Sequence, residues 1–414
     1  MAKIKAFRGI RPAVDKIQDV ASLPYDVMNS KEARVAVEGK PFSFLHVVKP
    51  EVDLPEDLDV HDEAVYQKGK ENLYKFIEDG VLIQDEKPCY YLYRQIMGDV
   101  NQIGLVVGAS IEDYENDIIK KHEHTRAEKE ADRIKHVDTL SANTGPVFLT
   151  YPARDDINAF VDEYTKKAPV YDFTADDGIQ HIFWVVEGEE NIANLTQMFS
   201  SIKYLYVADG HHRSASGTKV GQQRRAANPN HTGDEEYNYF LSVIFPDNQL
   251  YVMDYNRVVQ DLNGHTKEEY LALVGEKFNC EVYSKDEAYS PEGIHHFGMY
   301  IDKTWYKLTA KEGTYPANDP VKTLDVSILM ENLLAPVLAI GNPRTDTRID
   351  FVGGIRGLGE LSKRVDAGEA VAFSMFATSI EQLMNIADAG EVMPPKSTWF
   401  EPKLRSGVIT HLLD

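Results

Sequence analysis

Between Val60 and Gly80 the apolar residues Val65, Leu73, Phe76 and Ile77 recur at helical spacing, and Gly80 stands where a helix stops. This predicts a helix with one solvated, charged face. Pro88 to Arg94 and Gln102 to Ile111 are rich in Tyr, Val and Ile and flank Met97-Gly-Asp-Val100, the pattern of a β-hairpin. Ile4 to Pro12 reads as a short strand ending in a turn. Val20 to Val27 reads as extended, because Pro24 biases Leu23 away from the helical region. After Ile111 the chain turns abruptly charged, which predicts a solvated helix from about Ala127 to Leu140, followed by an apolar strand at Val147 to Tyr151. Further helices are expected at Asp155 to Ala168 and Asn191 to Phe199, and strands at Ile179 to Glu187 and Tyr204 to Ala208, the last running into a helix-like segment.

Tyr237 to Pro246 and Gln249 to Val258 suggest a second hairpin across Asp247-Asn248. Beyond residue 260 helix and strand patterns alternate, with helices at Lys267 to Phe278, Val321 to Leu338, Leu358 to Ala367 and Ser379 to Asp388. The strands between them are Gly298 to Ala310, Ile349 to Gly353 and Ala370 to Ala377. With 414 residues the chain is long enough for two or three packed units, and the softest seam, Gln260 to His265, divides it into 1–259 and 260–414. The expected class is α/β (α+β), with mixed sheets in the first region and an α/β arrangement in the second.

Acidic residues outnumber basic ones 66 to 44, a net charge of −22, so the average surface repels phosphate backbones and anionic lipid. Nucleic-acid and membrane partners are therefore not expected, and a small-molecule substrate is. Two cysteines without zinc spacing, no apolar run near 18 residues and no apolar segment behind the basic N-terminus point to a soluble, cytoplasmic protein. The oligomeric state stays open, a homo-oligomer included.

Four segments carry candidate chemistry. In Val207-Ala-Asp-Gly-His-His-Arg-Ser214 a glycine follows a strand, where it permits a tight turn with outward N–H groups. His211, His212 and Arg213 beside it would form a cationic nest for phosphate oxygens. Asp209 would orient a histidine or hold a divalent cation. In His122-Glu-His-Thr125 a carboxylate lies between two imidazoles ahead of a helix that Thr125 is placed to cap. His122, His124 and Glu128 match H-x-H-x-x-x-E, the core of the cupin metal pattern, but residue 116 is Asn where that pattern has Gly. Met393-Pro-Pro-Lys-Ser-Thr-Trp-Phe-Glu-Pro-Lys403 fails as a P-loop because Pro395 removes a phosphate-facing N–H. It survives as a rigid turn aiming Lys396, Ser397, Thr398 and Lys403 outward, or as a structural strap. Val352-Gly-Gly-Ile-Arg-Gly-Leu-Gly359 has the spacing GGxxGxG, not that of a dinucleotide site.

Taken together, LPYDV, HEHT with a following DR, SANTGPVF, ADGHHR, LDVSIL and MPPKSTWFEPK resemble a bacterial family catalogued as domain of unknown function 1015, over nearly the whole chain. Within it, the early strand and turn, the Glu123 region and Asp209-Gly-His-His-Arg213 are similar to the ParB/sulfiredoxin-like fold as used by free serine kinases. The resemblance implies such a core elaborated by insertions around 30–120 and 150–200 and by a C-terminal α/β region. It also implies a kinase that phosphorylates the hydroxyl of free L-serine, or a similar amino acid, from ATP, ADP or pyrophosphate with Mg²⁺. Gly210, His211, His212 and Arg213 would then bind donor phosphates with Lys396, Ser397 and Thr398, Asp209 would hold the metal, and Glu123 with His211 would be catalytic. Tyr25, Asp26, His122, His124, Thr125, Arg133 and Asn143 complete the expected substrate or orienting positions. Two other classes stay open: a metal-dependent hydrolase or isomerase built on His122, His124, His211 and His212, and a non-catalytic, nucleotide-sensing module related to ParB.

Overall fold

The most apolar runs of the chain become the centre of a nine-stranded sheet in a computed structural model that describes residues 1–414. Its strands are β1 (Ile4–Lys5), β2 (Tyr90–Met97), β3 (Val100–Ser110), β4 (Ile119–Lys120), β5 (Val147–Tyr151), β6 (Tyr171–Thr174), β7 (Gln180–Val186), β8 (Leu205–Asp209) and β9 (Tyr239–Pro246). The order is β4-β8-β5-β9-β3-β2-β7-β6, with β1 paired to β3. Only β4 with β8 and β5 with β9 run parallel, so the sheet is mixed. β5 and β9 are buried along their whole length, which is why they read as continuous apolar runs and not as alternating ones. The hairpin expected around residues 97–100 forms, with Met97 opposite Val100 and Gly98 in the left-handed region at φ 57°.

Three helices frame the part of this unit that matters for function: α1 (Glu63–Glu78), α2 (Ala127–Leu140) and α3 (His211–Ala227). α2 packs against both α1 and α3. Val137, Val220, Tyr237 and Leu413 form the apolar contact between α2, α3 and their neighbours. Gly221 permits the close approach there, since a Cβ would stand 2.3 Å from the Tyr237 carbonyl oxygen. The chain returns at its end to the same unit: Ser406 bridges Ser22, Thr410 bridges Ile10, His411 pairs with Asn143, and Asp414 meets Arg224 at 2.8 Å.

Two compact units result, Met1–Leu250 with Pro402–Asp414, and Tyr251–Glu401. The division suggested by the sequence, after Val259, lies at the end of the strand Tyr255–Val259 and not after Leu250, and the hairpin expected across Asp247-Asn248 does not form. Both edges of β9 are already occupied by β3 and β5. Asp247–Gln249 is a 3₁₀ turn, after which Tyr251–Met253 pairs with Trp399–Glu401.

The second unit is an antiparallel sheet of β10 (Tyr255–Val259), β11 (Phe278–Ser284), β12 (His296–Ile301), β13 (Thr304–Ala310), β14 (Ile349–Gly353) and β15 (Val371–Met375), in the order β11-β13-β12-β15-β10-β14. The strand expected at Gly298 to Ala310 is in fact the hairpin β12–β13. Asp302 and Lys303 both adopt positive φ, 46° and 56°, as a two-residue hairpin turn requires. The helix expected from Val321 to Leu338 is shorter, Asp325–Leu329 followed by a π turn over Met330–Leu334, and Pro336 cannot continue it. The fold class is thus mixed α/β, and no helix is long and apolar enough to cross a membrane.

Candidate functional site

The site begins with an irregularity in β8. Its pairing with β5 shifts register between Val207 and Asp209, a bulge that frees Asp209 from the strand's alternation. Gly210 follows at φ 96°, a conformation that other residues enter only with strain, and turns the chain into α3 without a side-chain cap. His211, His212 and Arg213 therefore form the first turn of a long helix and not a surface loop. The N–H groups of that turn have no partner within the helix, and the helix dipole favours an anion there.

The second motif arrives by topology. β4 lies beside β8 and parallel to it, with Ile119 opposite Leu205, so the residues that follow the two strands emerge at the same edge of the sheet. That places His122-Glu123 against the start of α3 although the motifs are far apart in sequence. The His122 and His211 rings meet edge to face with centroids 4.4 Å apart. His211 Nδ1 is 3.8 Å from Glu123 Oε2; the His211 side chain is buried, whereas that of Glu123 is 40% exposed. Burial pushes His122 down to about 4, and burial followed by the proximity of His122 pushes His211 well below the usual imidazole range. His211 Nε2 and His122 Nδ1 are buried with no hydrogen-bond partner.

His212 is likewise lowered, first by burial, and its Nε2 accepts a hydrogen bond from the Arg126 backbone N–H at 3.0 Å, joining the start of α2 to α3. The fixed positive charge of the cluster thus comes from other groups than the imidazoles. Arg213 donates through one terminal nitrogen to Asp26 Oδ2 at 2.7 Å and through the other to the Pro146 carbonyl at 2.9 Å. Burial opposes its charge, and Asp26 and Tyr25 more than offset that. Lys403 Nζ donates to Asp209 Oδ2 at 2.9 Å, and the Gly210 N–H donates to Asp209 Oδ1. Burial raises the Asp209 carboxyl, but Lys403 and Arg213 outweigh it and hold it well below the usual carboxylate range. In each pair the cation is the less exposed partner, at 12% and 15%, against 37% and 34% for the carboxylate.

Tyr25, in the 3₁₀ turn Tyr25–Val27, stacks under Arg133 at 4.2 Å and lies 5.5 Å from Arg213. Arg133 pairs with Asp132 at 2.6 Å. Asn143 is buried, its Oδ1 accepting from the Leu241 N–H, with its amide nitrogen unpartnered. Thr125 does not cap α2: the helix starts one residue later than that role needs, after Arg126, and Thr125 Oγ1 donates to Glu130 at 2.5 Å. His124 is exposed, unlike His122. No three His, Cys, Asp or Glu side chains converge where a metal ion would be held, so the H-x-H-x-x-x-E spacing is not a ligand set.

Lys396, Ser397 and Thr398 belong to the second unit. There the Lys396 carbonyl accepts from Arg257, its ammonium lies 5.3 Å from the Tyr255 ring, and Ser397 Oγ donates to the Pro394 carbonyl. From the same sequence segment it is Lys403 that reaches Asp209, because the chain re-enters the first unit at Pro402. The sequence singles out Lys403 with the proline-held turn, but not the carboxylate it reaches.

The sequence from residue 4 to residue 327 matches the family described as "Protein of unknown function (DUF1015)". The chain belongs to that family. A search of curated proteins gave no match. Among solved structures, this DUF1015 chain is similar to a mutant free serine kinase in complex with ADP, with a TM-score of 0.35 and 14% identity over 72% of this chain and 87% of that one. It is also similar to a conserved hypothetical protein from Pyrococcus furiosus, with a TM-score of 0.35 and 15% identity over 75% and 95% of the two chains. A third similar structure is SbnI with a C-terminal truncation from Staphylococcus aureus, with a TM-score of 0.38 and 9% identity over 73% and 85%.

Proposed function

We propose that this protein is a phosphotransferase that binds ATP, ADP or pyrophosphate at the start of α3 and passes a phosphoryl group to the hydroxyl of free L-serine or a similar small amino acid. The observation that carries this reading is the meeting of Glu123, His211, Arg213 and the Asp209–Lys403 pair around one uncapped helix N-terminus. Phosphoryl transfer asks for positive and N–H groups around phosphate oxygens and for a carboxylate near the nucleophile, and for little else.

In this mechanism the free N–H groups of α3, Arg213 and Lys403 hold the donor phosphates. The carboxylates of Asp26 and Asp209 give way where the phosphate oxygens arrive. Glu123, the exposed partner of His211, accepts the proton as the O–H bond of the substrate hydroxyl breaks. The oxygen forms its bond to the terminal phosphorus, and the bond to the leaving oxygen breaks with its electron pair remaining on the shortened donor. His211, whose Nδ1 lies 3.8 Å from Glu123 Oε2, positions that carboxylate. Mg²⁺, which neutralises phosphate charge when bound with such donors, would be held mainly by the donor's own oxygens, with Asp209, released from Lys403 as the phosphate arrives, as a carboxylate ligand.

Calorimetric titration with ADP, pyrophosphate and adenosine tests the phosphate site. ADP and pyrophosphate should bind, and adenosine, lacking phosphate, should bind at least about 100-fold more weakly than ADP, since each charge-assisted hydrogen bond supplies roughly 1.5–3 kcal/mol. Equal affinities for ADP and adenosine would remove the start of α3 from the function.

A further inference from the structure

Two motifs noted in the sequence, the Tyr25 of LPYDV and the Asp132-Arg133 that follows HEHT, have a second neighbourhood beside the phosphate cluster. They come together there, in the same unit, around a cavity of about 150 Å³. Its polar wall is made of Lys49, Glu51, Tyr66, Asp132 and Arg133, and Tyr25 closes the side toward Arg213. Lys49 pairs with Glu51 at 2.9 Å and Arg133 with Asp132 at 2.6 Å, and none of the four side chains is more than 15% exposed. Ser30 donates to Glu51 at 2.9 Å and Tyr66 to Asp132 at 2.7 Å. His61, 61% exposed, stands at the rim beside Asp132.

Holding four charges in so little solvent is costly, and hydrophobic residues of similar volume would stabilise a fold as well or better. A cavity of this size equals about five water volumes at roughly 30 Å³ each, the size class of a small free amino acid. Two buried cations and two buried carboxylates balance, so a ligand that carries one charge of each sign enters without upsetting that balance. A dianionic phosphate would upset it.

We propose that this cavity takes the α-ammonium and α-carboxylate groups of a free small amino acid. Glu51 and Asp132 face the ammonium, and Lys49 and Arg133 face the carboxylate. Tyr25 is the residue shared with the phosphate cluster, since its ring lies 4.2 Å from Arg133 and 5.5 Å from Arg213. The inference rests on the phosphotransferase reading for the choice of L-serine as probe, and its test needs no turnover.

Calorimetry on the full chain without donor, using L-serine, L-serinamide and N-acetyl-L-serine, separates the two charges on the ligand side. L-serine should bind, and removing either its carboxylate or its ammonium should weaken binding by at least about tenfold. Glu51→Gln should weaken L-serine by a similar factor while leaving ADP affinity within about twofold; a melting curve on the same sample shows that the variant is folded. L-serine that fails to bind the wild-type protein, or that binds as well as its amide and acetyl analogues, overturns the assignment. Loss of L-serine binding in Glu51→Gln, in a protein that forms no phosphorylated amino acid with any donor, supports the cavity and removes the kinase reading instead.

Discussion

Glu123→Gln is expected to lower turnover by about 10²–10⁴-fold while donor affinity stays within a few-fold. A hydroxyl is a weak nucleophile at neutral pH, and its proton must leave as the bond to phosphorus forms. Glutamine keeps the size and polarity of glutamate but cannot take that proton. The position fits the role: the Glu123 carboxylate is open to solvent, next to His211 and at the edge where β4 and β8 end together. The alternative is that Glu123 only steadies His211 or the approach to α2. In that case Gln would shift the melting temperature and leave single-turnover rates near the wild-type value. Measured on one preparation, the two readouts decide between a proton acceptor and a structural side chain.

The second large effect is expected at Arg213. Sequence alone suggests that Arg213→Ala would leave folding nearly unchanged. The structure makes Ala a poor probe, because the guanidinium is buried, bonded to Asp26 and Pro146 and packed near Tyr25. Arg213→Lys keeps the charge and most of the stem but replaces a planar fork by a single ammonium, which cannot serve the Pro146 carbonyl, Asp26 and an incoming phosphate together. Donor affinity and turnover should therefore fall together, each by about 10–100-fold, since a phosphate clamp acts in both the ground state and the transition state. A Lys variant with unchanged affinity for ADP would make Arg213 a support for the Asp26 turn and no more.

Much of this site is legible in the amino-acid sequence because its residues are hard to explain otherwise. A strand that ends in Asp-Gly-His-His-Arg has few structural reasons to do so, and α2 occupies Ala127–Leu140 as its charge pattern predicts. Several features are not legible there. The bulge at Val207 to Asp209 depends on the partner strand β5, and no local pattern in β8 announces it. The lowering of His211 comes first from burial and then from His122, a neighbour that the parallel placement of β4 and β8 brings to it. Asp247-Asn248 suggests a hairpin because local turn chemistry is blind to strands that have already taken both edges of β9. For the same reason the return of Pro402–Asp414, which brings Lys403 to Asp209, is invisible in a segment whose neighbours lie hundreds of residues earlier.

Phosphorus NMR of the wild-type protein with Mg²⁺, free L-serine and, in separate samples, ATP, ADP and pyrophosphate tests the central claim most directly. A growing O-phosphoserine resonance is expected with at least one donor, matched in amount by the shortened donor and absent when L-serine is omitted. Donors that bind and stay intact in every sample, with no phosphomonoester formed, would contradict it.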